Sequence, residues 1–133
     1  MTPRGIRLNN PLNIRRSASQ WRGMSAVQDD AAFVRFDSME WGLRAAFCLL
    51  RTYARRHGAQ TPAAIIGRWA PPTENNTRAY VAAVCRRTGF GGQQRLTEAE
   101  WPRLVQAMAE VETGCRLPYE IINRGFNLYK KYR

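Results

Sequence analysis

A chain of 133 residues has room for one hydrophobic core, so a single domain is expected. Hydrophobic residues make up 44% of it, and no apolar run is long enough for a helix to cross a bilayer, which excludes a membrane span. The 21 basic residues against 10 acidic, a net charge of +11 carried mostly by arginine, favour a polyanionic partner such as nucleic acid, anionic lipid or the acidic polymers of a bacterial envelope.

The first 31 residues read as irregular chain, with Pro3, Gly5, Asn9-Asn10-Pro11, and then Ser and Gln around Trp21 and Gly23. Asn-Asn-Pro is a turn signal, yet asparagine amides also donate and accept at sugar hydroxyls, and a tryptophan can stack on a pyranose face. Phe33–Phe36 alternates and predicts a short strand, with Phe33 and Arg35 facing opposite to Val34 and Phe36. Asp37, with Glu40 three residues on, predicts a capped helix to about Arg56 that buries Leu43, Phe47 and Leu50 and ends at Gly58. His57, beside Arg55 and Arg56, reads as part of that helix end rather than as a metal ligand or a member of a triad.

Thr61-Pro62 opens a short helix that turns Ile65 and Ile66 inward and stops before Trp69-Ala70-Pro71-Pro72. Thr77, Tyr80, Val81, Val84, Cys85 and Thr88 then share one face of a helix ended by Gly89. Residues 90–96 are a connection. Thr97 with Glu100 is a second capping box, but Pro102 follows, so the next helix either starts a turn early and bends or restarts at Pro102.

That helix carries the residue of most chemical interest. In Trp101–Gly114, Leu104, Val105, Met108 and Val111 form an apolar stripe that Glu112 continues, while Glu110 turns toward the face of Arg103 and Gln106. A carboxyl at the end of a buried face, one residue before Thr113-Gly114, suits a general acid working near neutral pH. The bland alternative is a glutamate at a fraying end that simply reaches water. After Pro118, Ile122, Phe126 and Tyr129 share a last helical face, and the basic end YKKYR is expected to fray. Cys48, Cys85 and Cys115 cannot all pair and show no metal spacing, so reduced thiols and no metal or cofactor are expected.

Three strings resemble lysozyme-like peptidoglycan-cleaving enzymes, the lytic transglycosylases and bacterial N-acetylglucosaminidases. AMAEVETG is similar to their catalytic helix, which implies Glu112 as the catalytic acid. NNPLNIRRSASQWRG is similar to the cleft-lining asparagine segment of the glucosaminidases, on Asn9, Asn10, Asn13-Ile14-Arg15 and Trp21-Arg22-Gly23, and FVRFDS to the segment beyond it. PPTENNTRAYVAAV resembles the transglycosylase motif E-T-x-x-Y-V-x-x-V on Glu74, Thr77, Tyr80, Val81 and Val84, with two extra asparagines between Glu74 and Thr77. In that family the tyrosine hydroxyl contacts the catalytic glutamate or its substrate, which implies that role for Tyr80. Asn9, Asn10, Asn13, Trp69 and Glu74 would then bind substrate.

Those families place the glutamate helix first, whereas here it comes last. The resemblance therefore implies a mainly α, lysozyme-like domain in circular permutation, with residues 1–36 as a small irregular or β cleft lobe and 37–133 as the helical core. Exchanging one surface connection for another makes permutation physically cheap. The expected activity is cleavage of the MurNAc–GlcNAc β-1,4 bond, by a lytic transglycosylase or a muramidase, with peptidoglycan glycan strands as partner and nucleic acid not expected. The start MTPRGIRLNNP lacks the apolar segment of a signal peptide, so synthesis in the cytoplasm and delivery to the periplasm or cell wall by another system is the expectation. A phage particle, a secretion system or an immunity protein would be a partner of that kind. The reading from another class is a non-catalytic, basic nucleic-acid-binding or virion structural protein on a lysozyme-like fold. Arginine-rich helices and four tryptophans suit it, but no recognised nucleic-acid motif does.

Overall fold

Helices supply the regular structure in a computed structural model that describes residues 2–72 and 76–133. They are α1 (Arg4–Arg7), α2 (Met39–His57), α3 (Pro62–Trp69), α4 (Thr77–Thr88), α5 (Trp101–Thr113) and α6 (Tyr119–Lys131), with a 3-10 turn over Glu98–Glu100 leading into α5. The fold is mainly α.

Helix α5 lies between its neighbours: α4, α6, α2 and the short α1 all pack on it. Leu104 and Met108 are fully buried, as the stripe predicts, at roughly 1.5–3 kcal/mol per large apolar side chain. Burial goes further than the stripe, since Gln106, Ala107 and Ala109 are covered as well. The chain turning back after Gly114 covers Gln106, whose Nε2 donates to the Leu117 carbonyl at 2.9 Å. The start of the helix settles the alternative left open by Pro102. The Thr97–Glu100 capping box closes the 3-10 turn, and α5 begins at Trp101 with Pro102 in the first turn, where no intrahelical N–H is needed.

The N-cap of α2 is Ser38, not Asp37. Ser38 Oγ accepts from the Trp41 N–H at 3.3 Å, while the Asp37 N–H is engaged by the Gly23 carbonyl. Gly58 ends the helix in the left-handed region at φ 61°. Helices α2 and α6 pack along their length, with Phe47 edge-on to Phe126 at 5.0 Å between ring centroids and Tyr129 beside both. The C-terminal segment is tied down rather than frayed. Tyr129 Oη and Arg133 Nη2 both donate to Glu98, each at 2.6 Å, and Arg44 donates to the Tyr132 carbonyl.

Residues 8–36 cover one end of this helical core. No strand forms here among the described residues, although one is predicted at Phe33–Phe36. Only the isolated bridges Arg15–Phe33 and Met24–Phe36 are present, because the partner changes along the segment: Val34 N bonds Ile14 O, Phe36 N bonds Leu8 O, and Arg35 O accepts from Ser25 N. The alternation survives, with Val34 and Phe36 each 1% exposed and joined to the same apolar cluster as the helices.

The lobe meets α2 at a backbone-to-backbone approach. A Cβ on Gly42 would stand 2.0 Å from the Asn9 carbonyl oxygen, so only glycine allows α2 to lie this close to the Asn9-Asn10 turn. Gly42→Ala should therefore lower the urea midpoint, by about 1–3 kcal/mol of stability at unchanged m-value. Gly67→Ala in α3, where an added Cβ meets nothing within 4 Å, should raise it by up to about 1 kcal/mol through helix propensity.

Candidate active site

Glu112 stands in the last turn of α5, half-buried, before Gly114 closes the helix at φ 75°. Thr113 beside it is buried, its hydroxyl bonded back to the Ala109 carbonyl at 2.8 Å and in contact with the Cys115 backbone. The end of α5 is thus held from within, and the carboxyl is directed by neighbours rather than left to water.

Two side chains hold its two oxygens. Tyr80 Oη, from α4, donates to Glu112 Oε2 at 2.9 Å, across 32 residues of sequence. Asn13 Nδ2 donates to Glu112 Oε1 at 2.9 Å, across 99 residues. The Tyr80 ring belongs to the core and is 8% exposed. Burial first, and then the Glu112 charge and hydrogen bond, push its hydroxyl far above the usual tyrosine range, so it remains a neutral donor at every physiological pH. Glu110, two residues away, behaves differently. It pairs with Arg87 Nε at 3.0 Å and Arg116 Nη1 at 3.3 Å, and the Arg87 hydrogen bond leads the causes that hold its carboxyl below the ordinary range.

A cavity opens at Glu112, lined also by Leu12, Asn13, Arg15, Phe33, Trp69 and Ala70. Trp69 ends α3 there and donates Nε1 to the Leu12 carbonyl at 3.1 Å. Asn13, Arg15 and Trp69 also line a second cavity of about 250 Å³, with Ser17, Trp21 and Tyr53 on its walls. The two together make a groove that runs from Glu112 along residues 13–21. Among the described residues that line either cavity, Glu112 is the one carboxylate.

Of the asparagines expected to meet substrate, the structure brings Asn13 to the groove, and Asn9 and Asn10 elsewhere. Asn10 is fully buried, with Nδ2 donating to the Ile14 and Val34 carbonyls and Oδ1 accepting from the Ile14 N–H. Asn9 Nδ2 goes to the Phe36 carbonyl at 3.1 Å. Both amides are spent holding the lobe together, because buried backbone groups there lack ladder partners. Glu74 lies outside the described residues. Phe33 and Leu12 at the groove carried no sequence signal beyond hydrophobicity, since a strand face and a groove wall look alike in a single segment. Among the described residues no group of three His, Cys, Asp or Glu side chains is placed to hold a metal ion.

No family model matches the chain. A curated phage protein does: Protein P5 of Pseudoalteromonas phage PM2 is 38% identical over 127 residues, an alignment covering 92% of this chain and 79% of that protein. At that identity and coverage, the chain belongs to the family of Protein P5 of phage PM2.

Proposed function

We propose that this chain is a phage-borne peptidoglycan-cleaving glycosidase, with Glu112 as its general acid and base, on a lysozyme-like domain in circular permutation. The observation that carries the reading is the 2.9 Å hydrogen bond from Tyr80 Oη to Glu112 Oε2. Two residues singled out by separate sequence motifs meet at hydrogen-bonding distance beside an open groove. The groove also suits a glycan strand, with Trp69 at the acid and Trp21 and Tyr53 farther along as aromatic faces for sugar rings.

In the proposed mechanism the protonated Glu112 gives its proton to the glycosidic oxygen as the C1–O bond breaks and oxocarbenium character develops. The resulting carboxylate then takes the proton of the sugar's own C6 hydroxyl, whose oxygen attacks C1 and closes a 1,6-anhydro ring. This lytic-transglycosylase route needs no second carboxylate, and among the described residues none besides Glu112 lines the groove. A muramidase would need a base to activate water. The phage relative fits delivery to the cell wall by a virus particle.

The same relative and the net charge of +11 favour a second reading, a non-catalytic virion protein that binds DNA through its basic surface. Affinity for a defined duplex would then fall steeply with salt. Weak, length-independent retention on DNA would count against it.

Purified protein is expected to release soluble muropeptides from sacculi, with anhydro ends lighter by one water than hydrolytic products on mass spectrometry. Glu112→Gln should abolish release while thermal unfolding stays near that of the parent, because the amide keeps the shape and has no transferable proton. Glu110→Gln should cleave like the parent. A folded, fully active Glu112→Gln protein would remove Glu112 from the mechanism. Tyr80→Phe should slow cleavage roughly ten- to a thousand-fold, the loss expected for one positioned hydrogen bond at a reacting centre. Turnover at the parental rate would make Tyr80 a core residue only.

A further inference from the structure

The two oxygens of Glu112 are not equivalent. Tyr80 can offer its proton in two directions, to Glu112 Oε2 at 2.9 Å or to the Met108 carbonyl at 3.5 Å. A proton on Oε2 would point at the Tyr80 oxygen in the core and leave the tyrosine's own proton only the long contact to Met108. A proton on Oε1 leaves the Tyr80 bond intact. The neighbour of Oε1 is an amide, which carries a donor and an acceptor on the same carbon. Half a turn about its Cβ–Cγ bond lets Asn13 accept from a carboxylic acid as readily as it donates to a carboxylate.

The surroundings of Asn13 are built for this. Its backbone is left-handed, at φ 55°, which directs the side chain of a loop residue back at the end of α5. Gly5 of α1 leaves space behind the amide, since a Cβ there would stand 3.1 Å from Asn13 Oδ1 and 3.1 Å from Thr113 Cγ2. Asn13 also lines both cavities of the groove, so the oxygen it holds is the one beside the substrate path.

We infer that Glu112 Oε1 is the oxygen that carries and delivers the proton, and that Asn13 is a positioning residue whose amide reverses as Glu112 cycles between acid and base. This deepens the glycosidase reading and rests on it for its catalytic meaning. The arrangement itself stands on the geometry. Asn13 therefore acts through Glu112, in place of the substrate contact expected from the sequence.

Asn13→Gly separates the alternatives, because glycine is at ease at φ 55° and the turn survives the change. A positioning role predicts a fall of about ten- to a hundredfold in kcat with KM within about twofold of the parent. A raised KM at unchanged kcat would overturn the inference in favour of substrate binding. Parental kinetics would overturn it in favour of a turn residue alone. A readout independent of turnover is the side-chain amide NMR signal of Asn13, which should move with pH in the parent and stay fixed in Glu112→Gln. If it does so while sacculi remain intact, the coupling stands and the glycosidase reading is what fails. An Asn13 amide insensitive to pH in the parent would overturn the coupling itself.

Discussion

Burial of α5 on nearly every side is the constraint from which the groove follows. A helix held by α4, α6, α2 and α1 together cannot roll or shift, because Leu104 and Met108 have no alternative packing without opening a cavity. Its last turn emerges from that grip at Glu112, just before the buried Thr113 and the end of the helix at Gly114. A carboxyl in such a place is half in the core and half in the groove. It can be held by core side chains while it faces a ligand.

The loop lobe contributes by rigidity of a different kind. It has no ladder to fix it, so buried side-chain amides take over that role. Asn10 ties three backbone groups of Ile14 and Val34, and Asn9 ties Phe36. The glycine contact at Gly42 presses the same turn against α2. With residues 9 to 14 fixed in this way, the left-handed Asn13 reaches Glu112 at 2.9 Å. The two asparagines that hold the loop and the one that holds the carboxyl divide between them what a single motif suggested.

Kinship with a phage protein gives the proposed chemistry a setting. A strongly basic surface suits any step at which a virus protein meets a polyanion, in the particle or at the envelope of the host. Electrostatic attraction of that kind speeds encounter without choosing a partner, so the charge cannot by itself distinguish the glycan reading from the nucleic-acid one. The groove is where they differ. Its walls carry Phe33, Trp69, Trp21 and Tyr53 beside Arg15, and the Glu112 carboxylate in it is held by two donors, a feature that the glycan reading uses and the nucleic-acid reading does not.

Much of the architecture was legible locally. Helical spacing gave the buried faces of α2, α4 and α6, and Gly58, Gly89 and Gly114 marked helix ends that do adopt the left-handed region. Local energetics decide such features, because a cap or an apolar stripe depends on residues within one or two turns. The Ser38 cap and the missing strand at Phe33–Phe36 fell outside that reach, since each depends on which distant backbone group claims a given N–H. The motifs named Glu112 and Tyr80, but nothing in one dimension could bring Asn13 to a carboxyl 99 residues away, or distinguish its amide from those of Asn9 and Asn10. Those three side chains are chemically identical. What differs is the backbone that aims each one and the unpaired groups within its reach, and these exist only once the loop has closed against α2 and α5.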